Sequence, residues 1–342
     1  MNKIRIGKLS PDKMESLIGN SFGRKSNDVI VGPGAGLDAA VIKLNDGRVM
    51  AIAEDPIFPA PGLPLETFGW FTVHIGASDV AVTGIKPQFM TYTLLLPPSF
   101  SEDDTKIIIE SISKTAEELG ITIVGGHTGW YGAVTVPTVG GVSVWGFADS
   151  DNWISPGGAK DGDSILMTKG PSIEAASLLA ILKQDKLRGR ISDENIEKLI
   201  SRSNEITVVK DALFAFESGD VNAMHDATEG GVIGGLWEMS RSSSIPVYVD
   251  FDRIDIPEDI LSLSKELKFD PWEAISEGTL LAAVKKGSEN RVMDLLKANG
   301  IECWILGRFD SSLERNIVKR NNKESELICP EEDPFWKLFF SE

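Results

Sequence analysis

The chain holds 342 residues, with 34 Lys and Arg against 51 Asp and Glu, a formal net charge of −17. Its 42% apolar and 25% charged residues describe a folded protein rather than a disordered one, and its length suits two domains. Such acidity excludes nucleic-acid strands and anionic membrane surfaces as main partners, while leaving room for a small anion held through metal ions or backbone N–H groups.

The amino-terminal segment MNKIRIGKLSPDKMESLIG has no apolar core of signal-peptide length, and no run reaches the roughly 18 apolar residues of a membrane span. DAAVIKL and RVMAIAED are expected as paired strands joined by the LNDG turn. Over 65–83, Trp70, Val73, His74, Ala77 and Ala81 recur at helical spacing, which makes His74 a hydrogen-bonded core residue rather than a catalyst. A strand, PQFMTYTLLLP, precedes the helix SEDDTKIIIESISKTAEELG, with Ser101 as its cap, Asp104 completing a capping box and Gly120 as its stop. ITIV is a strand leading into a GGHTG turn, and VPTVGGVSVWGFA is a long returning strand.

The Asp-, Gly- and Ser-rich run 148–163 marks a domain boundary. Beyond it, strands are expected at DSILMTKG, IPVYVDF, TLLAAV and ECWILGRF, with helices near 172–184, 193–203, 205–217, 257–266 and 288–298. MHDATEGGVIGGLWEMSRS reads as a turn entering a helix. The expected organisation is an α+β domain over 1–150, an α/β domain over 151–310, and a polar tail over 311–342 ending in the amphipathic stub PFWKLFFSE. The first 150 residues carry 16 acidic and 11 basic side chains, a net of −5, so most of the acidity lies in the second part.

Cys303 and Cys329 form no CxxC pair, and His74, His127 and His225 are widely separated. A disulfide framework and a compact zinc site are therefore excluded, and a reducing, cytoplasmic setting is expected. Three aspartates stand at element ends: Asp38 opens a strand, Asp55 closes the next, and Asp79 lies near a helix end. Carboxylates so placed either converge as hard oxygen ligands for Mg²⁺ or serve as ordinary caps and turns. GPGAG (32–36) and GGHTG (125–129) are glycine-rich turns without the Walker A or Rossmann pattern. In HDATEGGV, Asp226 and Glu229 precede two glycines and a helix, which fits either an anion site or a simple N-cap. No nucleophile elbow or adjacent Cys–His pair is present, and His127, between glycine and threonine, is the better functional histidine.

Six separated motifs, GLDAAV, AEDPIF, ASDVAVTGIKP, GITIVGGHT, HDATEGGV and ISEGTLLAAV, occur in the order seen in the AIR synthase-like (PurM-like) superfamily. The resemblance spans residues 5–310 and looks closest to the HypE branch and the archaeal-type AIR synthase-related proteins. It implies a two-domain fold whose amino-terminal sheet forms a barrel across a homodimer, beside a carboxy-terminal α/β sandwich domain. It also implies ATP and Mg²⁺, with Asp38, Asp55 and Asp79 on the metal and Gly36, Gly125, Gly126, His127 and Thr128 on the nucleotide. By the same resemblance Asp226, Glu229, Gly230 and Gly231 face the substrate, with Asp226 and His127 as catalytic groups.

The chain departs from the family pattern in places. Leu37 precedes Asp38 where two acidic residues are common, and His127 stands where HypE and the thiamine kinase have Asp, though selenophosphate synthetases share a GGHT-like turn. Glu229 replaces a cationic position, the chain lacks the amino-terminal Cys or Sec of selenophosphate synthetases, and Cys329 lies inside a terminus reading Phe340, Ser341, Glu342. Carbamoyl dehydration is accordingly not expected. The leading expectation is ATP-dependent phosphorylation or activation of an oxygen on a small metabolite. The alternatives are a catalytically reduced nucleotide- or metabolite-binding homodimer and a thiamine-monophosphate kinase-like activity.

Overall fold

The computed structural model describes residues 6–19 and 21–341. Met1–Arg5 and Glu342, on which the expectations about a leader and about the terminus partly rest, lie outside them. A short helix α1 (Pro11–Ile18) and strand β1 (Val29–Val31), neither expected, precede the expected pair β2 (Ala40–Lys43) and β3 (Arg48–Ile57). Next come α2 (Leu65–Ala81), β4 (Phe89–Leu96), α3 (Glu102–Leu119), β5 (Thr122–Trp130) and β6 (Thr138–Asp149). They build a six-stranded sheet in the order β1-β2-β3-β6-β4-β5, antiparallel except for the parallel pair β4·β5. The local signals of α3 act as expected: the Asp104 N–H donates to Ser101 Oγ at 3.0 Å, and Gly120 takes φ +70° at the other end.

Period two along the strands sorts this sheet into unlike faces. Val49, Ala51 and Ala53 of β3 and Val142 and Val144 of β6 are buried with Phe68, Val73 and Ala77 of α2. The opposite face pairs Met50 with Phe147 and Ile52 with Trp145, and stacks Phe89 on Trp145, all only half-buried.

The second sheet forms from β7 (Ser164–Thr168) onward. It is followed by α4 (Ile173–Leu182), α5 (Gln184–Leu187), α6 (Asp193–Ser201), α7 (Val209–Glu217), β8 (Val221–Asp226) and α8 (Gly231–Ser243). The remainder comprises β9 (Val247–Asp250), α9 (Glu258–Leu267), β10 (Leu280–Val284), α10 (Glu289–Ala298), β11 (Cys303–Phe309), β12 (Ile317–Arg320), β13 (Lys323–Glu326) and α11 (Pro334–Phe339). The strand order is β13-β12-β9-β11-β7-β10-β8. Alternate residues again face opposite ways. Leu166 and Ala282 join the core shared with α4, α7 and the first sheet, while Ile165, Met167, Leu281 and Ala283 pack beneath α8 with Trp272.

Two readings are corrected. MHD, expected in a turn, closes strand β8, because Val221–Asp226 pairs along β10 and buries nearly every side chain there. The segment 311–342, expected as a polar tail, adds the β12–β13 hairpin to the sheet through parallel pairing with β9, and ends in α11, which buries Phe335.

His74 is a bonded core residue, as its helical spacing suggests. Its ring stacks on Trp70 at 3.8 Å and its Nδ1 lies 2.8 Å from Thr207 Oγ1. The Val208 N–H donates to Ser78 Oγ at 3.1 Å, so α2 is stitched to the segment entering α7. This seam between the two sheets is where the carboxylates meet. No described helix is long and apolar enough to cross a membrane.

Candidate active site

Asp38 follows a loop that packs against α8 from the other sheet. Gly36 makes that approach possible: its φ is +73°, and a Cβ there would lie 2.6 Å from the Glu238 carbonyl oxygen. Asp38 thereby meets β8. His225 Nδ1 sits 2.6 Å from Asp38 Oδ2, and ligand atoms of Asp38, His225 and Asp226 all lie within 4.8 Å of one another.

His225 is no metal ligand in this arrangement, because its Nε2 is also engaged, 2.9 Å from Glu238 Oε2. Burial opposes a charge on the ring, yet Asp38 and Glu238 outweigh it and hold the imidazole well above its ordinary pKa. An imidazolium bonded at both nitrogens has no lone pair to offer. It serves as a buried clamp between two carboxylates. Burial works against the Glu238 charge as well, but His225 and Lys8 hold its carboxyl down at about 2.

The other acids have no such partner. Burial, then Asp38, pushes Asp226 up to about 6 despite the opposing effect of His225. Burial and the neighbours Asp55, Asp226 and Asp38 drive Asp79 well above the carboxylate range. Burial, Asp226 and Glu174 do the same to Glu277, and burial followed by Asp333 raises Glu174 to about 8. Both Asp226 oxygens, Asp55 Oδ2, Glu277 Oε1 and Glu174 Oε2 are buried without a hydrogen-bond donor. A second carboxyl, Glu277, also reaches Asp226, and it can help only while one of the two holds a proton.

Unpaired buried carboxylate oxygens are costly. Hard divalent cations are the chemistry that satisfies them, and Mg²⁺ fits an all-oxygen donor set better than a soft metal does. A pH dependence follows. Asp226 and Glu174 have folded pKa values above their unfolded ones, so the metal-free fold binds extra protons and loses stability as pH rises from about 4 to about 8. Added Mg²⁺ is expected to raise Tm by several degrees at pH 8 and little at pH 5, with proton release at pH 6–7. Calorimetry in buffers of different ionisation enthalpy measures that release.

The sequence-predicted residues divide. Asp38 and Asp226 come together beside His225, and Asp79 lies near enough to Asp55, Asp226 and Asp38 for their charges to raise its pKa. The glycine-rich 125–129 segment is no turn: β5 runs extended through Gly125, Gly126, His127 and Thr128 on the sheet edge. Pairing with β4 demands the glycine, since Gly126 has φ +139° and a Cβ would lie 2.2 Å from the Tyr92 carbonyl oxygen. Val124 bulges out where the register slips between Met90 and Thr91. His127 is exposed, with Nε2 2.5 Å from the Tyr131 hydroxyl.

The side-chain N-cap reading of the HDATEGGV helix start is also replaced. The N-cap is Gly230 and no side chain caps the helix. The Gly230 N–H donates to Asp333 Oδ2 at 2.8 Å and the Ile233 N–H to the Trp272 carbonyl at 3.0 Å, so these donors are already engaged. Gly231, at φ +60°, has two backbone oxygens 2.7 Å from where a Cβ would stand. Glu229 is tied to the Lys8 N–H at 2.8 Å and to Trp336 Nε1 at 3.2 Å. Sequence reasoning missed His225, Glu238, Glu277, Glu174 and Lys8 as site residues. Glu277, the acid of ISEGTLLAAV, and His225, beside Asp226, lay inside the ordered motifs, and Glu238 lay in the helix that follows HDATEGGV.

Two family models match the chain: AIR synthase related protein, N-terminal domain, over residues 36–146, and AIR synthase related protein, C-terminal domain, over residues 160–317. The protein belongs to the AIR synthase related family. A hydrogenase expression/formation protein of Methanocaldococcus jannaschii is 26% identical over 302 residues, covering 86% of this chain and 87% of that one. A selenide, water dikinase of Clostridioides difficile is 27% identical over 344 residues, covering 91% and 94%. Among solved structures, a HypE–HypF complex matches with TM-score 0.74 at 18% identity, covering 93% of this chain and 99% of that one. HypE in complex with ATP matches with TM-score 0.66 at 20% identity, covering 97% and 98%. AaThiL with AMPPCP and TMP matches with TM-score 0.69 at 14% identity, covering 93% and 95%. These likenesses establish the two-domain PurM-like fold.

Proposed function

We propose that the protein is an ATP- and Mg²⁺-dependent enzyme that phosphorylates or activates an oxygen of a small metabolite. The observation that carries this reading is the set of buried, donorless carboxylate oxygens on Asp55, Asp226, Glu277 and Glu174, drawn from both sheets. Asp38, Asp55, Asp79 and Asp226 would hold the metal, which supplies charge neutralisation for transferring phosphate oxygens. The His225–Glu238 clamp fixes the orientation of Asp38. In the metal-free fold the Asp226 carboxyl stands at about 6, so it would give up its proton as the metal binds. The names of relatives agree: a selenide, water dikinase, a HypE crystallised with ATP and a ThiL crystallised with AMPPCP.

The homodimer belongs to the same proposal. The half-buried apolar face of Met50, Ile52, Phe89, Trp145 and Phe147, beside the exposed edge strand β5, is what a second copy would cover. A binding protein that retains nucleotide without turnover is the second reading, favoured by His127 pairing with Tyr131 on the outer edge. Calorimetry with Mg²⁺ and ATP tests both readings. Asp55→Asn and Asp79→Asn are each expected to weaken Mg²⁺-dependent nucleotide binding at least tenfold, about 1.4 kcal/mol. Unchanged binding in both variants removes the site. Binding without turnover on any metabolite pool selects the second reading, and a direct assay with thiamine monophosphate settles the kinase alternative.

A further inference from the structure

Two of the buried acids, Glu174 and Glu277, are not needed to hold the metal. Both stand at one end of the second sheet. β7 and β8 finish there at Thr168 and Asp226, and β10, antiparallel to both, begins there with Leu280 opposite Asp226. Glu277 lies just before that start, and Glu174 sits in the first turn of α4, directly after β7. The Ile173 N–H donates to Ser276 Oγ at 3.2 Å and the Ala175 N–H to the Ile275 carbonyl at 3.1 Å, so the segments carrying the two acids are bonded to each other. Carboxyl ends of sheet strands, where helices begin, are where small ligands settle in α/β layers.

Asp333 and Glu229 border the pair, close enough for their charges to act on Glu174. Those two have donors. Asp333 accepts the Gly230 and Phe335 N–H groups, each at 2.8 Å, and Glu229 accepts from the Lys8 N–H and from Trp336 Nε1. Glu174 and Glu277 remain unsatisfied. Glu277 is 2% exposed and its Oε1 meets no donor, and Glu174 Oε2 is buried without one. Among the described residues no lysine or arginine forms an ion pair with any of the four acids, and the Lys8 ammonium pairs instead with Glu238 at 3.7 Å. Glu174 and Glu229 are only partly buried, so the group borders solvent on their side.

We infer that Glu174 and Glu277 receive a positively charged nitrogen, an ammonium or a guanidinium, carried by the metabolite whose oxygen is phosphorylated or activated. The inference rests on reading the adjoining Asp38, Asp55, Asp79 and Asp226 as the Mg²⁺ site. A further metal ion suits the pair less well. Among the described residues only Asp38, His225 and Asp226 bring three ligand atoms within 4.8 Å of one another, so neither glutamate completes such a group. The several N–H donors of an organic cation can reach separate carboxylates, and hydrogen bonds between charged partners are the strong ones. A neutral acceptor would leave buried carboxylates uncompensated, and an anionic one would be repelled. Glu277 adjoins Asp226, so a molecule of few carbons spans the two sites.

The test uses the full chain and calorimetry. Ethanolamine and agmatine are the cationic probes, with ethylene glycol as the uncharged analogue and glycolate as the anionic one, each titrated with and without saturating Mg²⁺·AMPPCP. Both cations are expected to bind at least tenfold more tightly than ethylene glycol, and glycolate not at all. Glu174→Gln should cut ethanolamine affinity at least tenfold, and Glu174→Asp, which restores the charge, should recover part of it. Wild-type protein that binds the cations no better than ethylene glycol overturns the inference without any variant; that is the result if the two acids only hold protons. A second bound Mg²⁺ that is lost in Glu174→Gln overturns it as well, by making the pair a metal site. If the cations are preferred but no Mg²⁺·AMPPCP binds, the nucleotide reading fails and the cation site stands. If Mg²⁺·AMPPCP binds and the cations are not preferred, the cation site fails and the nucleotide reading stands.

Discussion

Asp226→Asn is expected to make the protein more stable and less functional at once. Asp226 is fully buried at the end of β8, both of its oxygens lack a donor, and its pKa stands at about 6. Above that pH the ionised form costs the metal-free fold about 2–3 kcal/mol, which the neutral amide removes. Tm in EDTA at pH 8 should therefore rise by several degrees. On the proposed reading, Mg²⁺-dependent nucleotide turnover should fall by about 10²–10³-fold, because an oxygen that would carry charge toward the metal has become a neutral amide. Scanning calorimetry and a coupled ADP assay on one preparation measure both changes. A drop in Tm would show Asp226 to be satisfied within the fold and would falsify the metal-site reading.

Gly36→Ala is expected to damage the same site from outside it. Gly36 combines a left-handed φ of +73° with backbone contact, the Glu238 carbonyl oxygen standing 2.6 Å from the Cβ position. The left-handed backbone alone costs about 1–2 kcal/mol, and the clash cannot be relieved by turning a side chain because its partner is main chain. Either the loop carrying Asp38 or the α8 turn carrying Glu238 must move, and His225 bridges the two. The expected result is a loss of about 2–4 kcal/mol in stability with at least tenfold weaker Mg²⁺ binding. Denaturant melts and calorimetry measure these changes. An undisturbed Mg²⁺ affinity would separate the Gly36 contact from the site.

Much of the fold is legible because its causes are local. The Ser101 cap, the acidic first turn and the Gly120 stop delimit α3 to within a residue. The alternation in RVMAIAED marks β3 and the LNDG turn its partner, and the helical spacing over 65–83 places α2. Where the reading slips, a distant partner decided. GGHTG looks like a turn because glycines usually mark one, yet β4 alongside draws it into an extended edge where only glycine fits at position 126. MHD looks like the start of a turn, yet β10 draws it into a buried strand. The hairpin β12–β13 has wholly exposed residues in its outer strand and no apolar periodicity to announce it.

The acidity noted at the outset takes on a different meaning at the site. From composition, −17 speaks against nucleic acid and anionic surfaces, and the ordered motifs speak for the family and for Asp38, Asp55 and Asp79 as the acids to watch. Those conclusions depend on residue identity and spacing along the chain, so the sequence by itself carries them. That His225 is sandwiched between Asp38 and Glu238, and that Glu229 bonds both Lys8 and Trp336, are contacts across 187, 13, 221 and 107 residues. Burial and charge proximity set the chemistry of each group, and both are properties of the packed seam between the two sheets. Only the tertiary structure decides them.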